Sequence, residues 1–217
     1  MLLRRKAVAF DRTATLAEGD RARARGRRRK AIAAYRKVLA ADPKDTGVHG
    51  KIAPLLARTG KRTEALASFR AASEGQVRAG FVDRALSVLR QASDFYPEEL
   101  GLWEEIARLH VQRGRRADAV AALVGAGGRL LRTRHRPVAV STLRRALEIE
   151  PWQPDATLLL ARVLAKEGRR DDALALVEGL ATRVRGKVHR RARALAFRIS
   201  PTLGNLWRWM RARFGAR

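Results

Sequence analysis

Cysteine is absent from this chain of 217 residues, which excludes disulfides, thiolate metal sites and a cysteine nucleophile, and leaves the redox compartment unread. Four histidines, His49, His110, His135 and His189, stand too far apart for any local ligand spacing, so neither a metal nor a cofactor is expected. No stretch approaches the roughly 18 uncharged apolar residues that a membrane span requires. The opening MLLRRKAVAFDRTATLAEGD carries charge at Arg4 to Lys6, but Asp11 interrupts the apolar residues that follow. That run falls short of the roughly 7–15 residue core of an export signal. A soluble cytoplasmic chain is the expectation. Asparagine occurs once, at Asn205, and acidic residues stop at Glu178.

Catalytic patterns are missing as well. There is no Gly-x-Ser-x-Gly elbow, and no histidine stands near a carboxylate at a suggestive spacing. The glycine-rich GAGGRLLR, from Gly125, is not a phosphate loop, because no Gly-Lys-Ser/Thr follows and no strand precedes it. Gly125, Gly127 and Gly128 read instead as a weakened or bent stretch of helix. Glu98, Glu99, Glu104 and Glu105 follow Pro97 at helical spacing, where capping and solvation of one helix explain them. No catalytic residue and no small-molecule substrate are expected.

What is present repeats. GRRRKAI at Gly26 recurs as GKRTEAL at Gly60, GRRADAV at Gly114 and GRRDDAL at Gly168, the first interval being 34 residues and the next two 54. Each copy has a glycine, two basic residues, and an alanine five positions on, at Ala31, Ala65, Ala119 and Ala173. Glycine permits the left-handed conformation that closes a helix, and the next helix starts at once. Glu64, Asp118, Asp171 and Asp172 fall in the first turn of that next helix, where carboxylates favour the positive end of the dipole. Lys30 takes the acid's place in the first copy. The motif is an inter-helix turn, not a phosphate-binding patch.

The helices around the turn carry matched small and bulky positions. Ile52 and Ala53, Ile106 and Ala107, and Leu160 and Ala161 precede it. Ala31 and Tyr35, Ala65 and Phe69, Ala119 and Leu123, and Ala173 and Val177 follow it, four residues apart and so on one helix face. Pro43, Pro97 and Pro151, also 54 apart, end helices because proline cannot continue one. Pro54 stands where the aligned copies have Arg108 and Arg162, which predicts a late start or a kink there.

These residues resemble the tetratricopeptide repeat, whose pattern has a bulky residue (often Trp), a Leu–Gly/Ala pair, a later Ala-x3-aromatic and a terminal proline in about 34 residues. Trp103, Ile106, Ala107, Ala119, Leu123 and Ala126 fit one repeat; Gly19, Ala31, Tyr35 and Pro43 fit the first, and Ala53, Ala65, Phe69 and Ala72 the second. The likeness covers about residues 12–181 and, more weakly, runs on to 201. A 54-residue recurrence is about one helix short of two such repeats, so each unit reads as three helices. They are predicted over 48–59, 62–79 and 82–95; 100–113, 116–133 and 137–149; and 154–167, 170–184 and 187–199. The long middle helix then serves two repeats. The fold class is all-α: a right-handed tetratricopeptide-like helical-hairpin solenoid of about 54-residue three-helix super-repeats. It is preceded by an N-terminal segment (1–11), spans 12–201, and is followed by a basic amphipathic capping helix and tail (202–217).

Such a fold implies a non-enzymatic scaffold that binds a protein partner on the concave face of stacked hairpins. Exposed positions on the first helix of each unit are the candidate lining: Arg58, Gln112 and Lys166 at aligned places, and Arg108 and Arg162 likewise. A basic lining favours acidic partner segments. The carboxylate clamp of chaperone-binding repeats uses asparagine and is not supported, because Asn205 lies outside the repeats.

The formal charge of +26 is concentrated at the ends. Residues 1–30 hold eleven Lys/Arg against three acids, residues 183–217 hold eleven against none, and the rest carry 25 against 18. Such an end favours polyanions, so the alternative reading is an adaptor whose basic termini bind nucleic acid or an anionic membrane, peripherally at its inner surface. Arg190, Arg191, Arg193, Arg208, Arg211 and Arg213 are the candidate contacts. In LGNLWRWMRARF a helix sets Leu203, Leu206, Trp207, Met210 and Phe214 along one side, with Arg208, Arg211 and Arg213 on or beside the other. A terminal cap over the last apolar face is the first expectation for it. A membrane-interface helix and a nucleic-acid stacking surface are the others.

Overall fold

The computed structural model describes residues 10–132 and 135–214. The expectation for residues 1–9 lies outside them. Twelve helices and no strand occur among the described residues. The chain divides into two compact units, Met1–Phe95 and Tyr96–Arg217, a boundary just ahead of Pro97 that the sequence reading did not place.

The first unit comprises α1 (Arg12–Ala24), α2 (Arg28–Ala41), α3 (Thr46–Arg58), α4 (Arg62–Arg78) and α5 (Val82–Phe95), each packed on the next, with α3 also touching α5. The second comprises α6 (Leu100–Gln112), α7 (Arg116–Arg132), α8 (Arg136–Ile149), α9 (Pro154–Lys166), α10 (Arg170–Arg183), α11 (Gly186–Ile199) and α12 (Leu203–Phe214). Here too each helix packs on its successor, and α6 touches α8, α7 touches α9, and α9 touches α11. Each unit is therefore a succession of helical hairpins. The ends of α3 to α11 lie within about two residues of the sequence expectation, inside the ordinary uncertainty of helix boundaries.

Local chemistry places the turns. Gly26, Gly60, Gly114 and Gly168 have φ of 69°, 78°, 72° and 85°, a conformation that costs a side-chain-bearing residue but not glycine. In each, the N–H after the glycine donates to the carbonyl five residues back, at Ala22, Leu56, His110 and Leu164, closing the preceding helix. Gly80 (φ 81°) does the same through Phe81 N–H to Gln76, although Phe81 and Val82 replace the basic pair. At starts, the Asp11 and Asp45 carboxylates accept from Ala14 and Val48 N–H, each at 3.0 Å.

The matched positions form the core. Ala31, Ala65, Ala119 and Ala173 are completely buried, as are their partners Tyr35, Phe69, Leu123 and Val177. Ala85 with Leu89, and Ala139 with Leu143, repeat the arrangement on α5 and α8. Proline ends helices as expected, standing two residues past α2, α5, α8 and α11.

Two expectations are corrected. α7 runs unbroken from Arg116 to Arg132 through all three glycines. Gly127 is there for contact: a Cβ on it would stand 2.7 Å from Leu143 Cδ2, so α7 and α8 approach through a missing side chain. α3 likewise starts at Thr46, earlier than expected, and continues through Pro54, which forgoes only the one bond to the carbonyl a turn back.

Candidate functional site

The predicted concave residues are all exposed. Arg58 ends α3 in the first unit, and Gln112 and Lys166 end α6 and α9 in the second. Arg108 lies one turn back on α6, with Glu105 Oε1 of the same helix 3.7 Å away, and Arg162 holds the matching place on α9. Helices α6 and α9 do not pack together; α7 and α8 are the elements that touch both. In the second unit Arg108 and Gln112 thus share α6, and Arg162 and Lys166 share α9.

The basic residues toward the C-terminus behave differently. A cleft of about 670 Å³ opens where the α10–α11 turn meets α11 and α12. Arg183, Arg185, Arg190, Arg193, Arg208 and Arg211 line it, with His189 and Trp207, and no carboxylate belongs to the lining. Four of the six arginines predicted as polyanion contacts meet here. Arg191 does not: it turns to α9 and pairs with Asp155 at 2.9 Å. Arg213 lies elsewhere on α12, its guanidinium over Trp209 and Phe214, 5.5 Å from each ring centre.

Several groups hold the cleft's shape. Arg183 donates to the Gly179 carbonyl at 2.7 Å and lies 4.1 Å over the Trp152 ring. Its stacking partner needs Gly179, where a Cβ would stand 2.6 Å from the indole. His189 Nδ1–H donates to the Ala181 carbonyl at 2.8 Å, which fixes the tautomer because a carbonyl only accepts. Arg208 reaches back to Glu178 at 3.1 Å, on α10. Among the described residues no carboxylate pairs with Arg185, Arg190 or Arg193. Their positive charges are uncompensated and repel one another, so an incoming anion lowers the energy of the whole cluster. Arg183 and Arg185 were missed in sequence; the run without acids after Glu178 was the available signal.

The other basic end differs because acids are interleaved with it. Lys30 pairs with Glu18 at 3.1 Å, Lys51 with Asp20 at 2.7 Å, and Arg12 with Asp45. Burial pushes the Asp20 carboxyl up. Hydrogen bonds from Lys51 Nζ and Tyr35 Oη, with the Lys51 and Arg23 charges, outweigh this and hold it below the ordinary range. Burial first, and then the Asp20 carboxylate, raise Tyr35 well above its ordinary value. Within the GRRRK stretch, Lys30 is thus paired with an acid.

α12 is oriented against expectation. It packs on α11 with Trp209 stacked on Phe197, ring centres 5.8 Å apart and 11° from parallel. Asn205 is buried on the same side and donates to the Ser200 carbonyl at 2.9 Å. The apolar row points away: Leu203, Trp207, Met210 and Phe214 are 85%, 60%, 46% and 69% exposed. Helical spacing puts Asn205 and Trp209 four apart on one side and that row on the other. Four of the five residues expected to cap the last helix therefore face solvent, and Leu206 is half-buried.

No histidine-carboxylate pair was expected, yet His110 Nδ1 lies 4.0 Å from Asp118 across the Gly114 turn. That separation is too long for a hydrogen bond. No group of three or more His, Cys, Asp or Glu fit to hold a metal occurs among the described residues.

Two family models for the tetratricopeptide repeat match this chain, one over residues 16–76 and one over 138–196. The chain belongs to the tetratricopeptide repeat family. No curated protein matches it in sequence. Among solved structures, a tetratricopeptide repeat protein from Parabacteroides merdae ATCC 43184 is 13% identical, covering 91% of this chain and 89% of its own, with a TM-score of 0.35. The pilF protein of Pseudomonas aeruginosa is 18% identical over 95% and 93%, with a TM-score of 0.31. MamA is 17% identical over 79% and 90%, with a TM-score of 0.34.

Proposed function

We propose that this tetratricopeptide repeat protein is a non-enzymatic interaction scaffold that holds an acidic segment of a protein partner in the cleft between the α10–α11 turn and α12. One observation carries the reading: six arginines line a single cleft that contributes no carboxylate of its own. A run of Asp and Glu side chains supplies the missing charge, and guanidinium forks bind carboxylates in pairs. The exposed positions Arg58, Arg108, Gln112, Arg162 and Lys166 are the second set of contacts proposed, on the strength of their equivalent places on α3, α6 and α9.

A fluorescein-labelled decaglutamate peptide tests the cleft by anisotropy. The full chain should bind it with an affinity that falls as salt rises, and Arg190→Glu with Arg193→Glu should abolish the binding. Among the described residues those two side chains form no ion pair, so circular dichroism should remain unchanged. Equal binding by the double variant would refute the cleft. Affinity capture from native lysate with and without nuclease separates the nucleic-acid alternative, since capture lost on nuclease treatment favours that alternative over a protein partner.

A further inference from the structure

Apart from Trp207, which also borders the cleft, the outward row on α12 has no task in the scaffold reading. Four large apolar side chains, Leu203, Trp207, Met210 and Phe214, follow one another along about three turns and are 46–85% exposed. An exposed apolar row of this size costs solubility unless something covers it. Its flanks are specific. Arg211 sits on one side, 5.2 Å over the Trp207 ring, and Arg213 on the other, over Phe214. Behind Arg211 lie Arg190 and Arg193 of the cleft. The face opposite is already occupied, by Trp209 against Phe197 and by buried Asn205. The helix is thus anchored on its inner side and bare on its outer side.

From this arrangement we infer that α12 is a membrane-surface element, which lays its apolar row into the headgroup region of an anionic bilayer while the unit stays in water. Charge selects the occupant. Residues 183–217 carry eleven Lys/Arg and no acid, so a second copy docking here would set two strongly positive ends together. A nucleic acid satisfies the charge but leaves Leu203, Met210 and Phe214 in water. An anionic lipid surface satisfies both at once: acyl chains and carbonyls take the row, and phosphate groups take Arg211 and Arg213. Trp207 sits at the row's centre with its ring under a guanidinium, the amphipathic pairing found at bilayer interfaces. No described helix is long and apolar enough to cross a membrane, so contact is confined to one surface.

Vesicle flotation with the full chain tests this. Phosphatidylcholine vesicles containing about one third phosphatidylglycerol should float the protein, and pure phosphatidylcholine should retain about tenfold less or weaker still. Two variants separate the contributions. Leu203→Ser, Trp207→Ser, Met210→Ser and Phe214→Ser together remove the row, and Arg211→Glu with Arg213→Glu reverse the flanks. Each should lower binding at least about tenfold with an unchanged melting temperature, since these side chains are largely solvent-exposed. Trp207→Phe should keep the binding but lose the blue shift of tryptophan emission on adding vesicles. Several results overturn the inference: equal binding to neutral vesicles, wild-type binding by either multiple variant, or a blue shift that survives Trp207→Phe. Binding to a DNA duplex with none to vesicles, or a dimer that the serine variant splits without vesicle binding, would overturn it too. The cleft proposal is tested separately: the serine variant removes Trp207 from the lining but keeps all six of its arginines, so decaglutamate binding should persist when vesicle binding is lost.

Discussion

Substituting the glycines of α7 separates two reasons for a helical glycine. Gly127 is buried, and an added Cβ would lie 2.7 Å from both Cδ2 and Cγ of Leu143, itself completely buried. Gly125 is exposed, and its Cβ would meet nothing nearer than Arg129 at 3.9 Å. Alanine gains about 1 kcal/mol over glycine in a helix interior. At Gly125 that gain is unopposed, so Gly125→Ala should stabilise by about 0.5–1 kcal/mol. At Gly127 the same gain meets overpacking of about 1–3 kcal/mol, because Leu143 is hemmed in and must leave its rotamer. The net is a loss of up to about 2 kcal/mol, so the two variants should differ by about 1–3 kcal/mol. For a chain of this size that is about 2–4 °C in melting temperature per kcal/mol, followed by far-ultraviolet circular dichroism. Gly127→Ala should melt below the wild type and Gly125→Ala above it. If both rise together, glycine at 127 is not holding α7 and α8 close, and the packing argument fails.

Other expectations follow from burial and charge. Ala119→Leu, at a completely buried site, should cost about 1–3 kcal/mol by overpacking, whereas Ala117→Leu on the exposed side should cost little; equal thermal shifts would contradict the helix register. Gly114→Ala, at φ 72° with open space around the new Cβ, should cost about 1–2 kcal/mol from backbone strain alone, read as a lower urea midpoint. The folded Asp20 carboxyl titrates below its ordinary value near 3.8, so the stability it contributes is complete above that pH and is lost as pH falls through the folded value. Asp20→Asn should therefore weaken the chain at neutral pH and narrow its difference from wild type in acid; a constant difference down to pH 2 would show that no such shift exists.

Part of this molecule is readable residue by residue. The Gly-to-Ala spacing of five located four turns and eight core positions, because left-handed glycine and helix-face periodicity are local properties of the chain. The same spacing occurs from Gly80 to Ala85, but Phe81 and Val82 replace the basic pair and hid it. For the site, the absence of acids after Glu178 located the charged end, while the grouping of arginines within it did not follow. Arg190 and Arg191 are neighbours in sequence, yet one lines the cleft and the other bridges to Asp155, since adjacent residues on a helix point about 100° apart. Equal places on α6 and α9 likewise do not by themselves bring those helices into contact; α7 and α8 touch both.

Sequence by itself therefore determined the all-α class, the helix boundaries, the family pattern and the uneven charge, each of which depends on residues within a turn or two of one another. Only tertiary structure decided what those helices do. It turned Gly127 from a helix breaker into a contact, through Leu143 on the neighbouring helix. It chose which side of α12 is inside. Hydrophobicity alone favours burying Leu203, Trp207, Met210 and Phe214, but Phe197 stacks on Trp209 and Ser200 offers a carbonyl to Asn205, and these contacts lie on the other face. A helix docks by what its neighbour presents, and that information resides in α11 rather than in the pattern of α12.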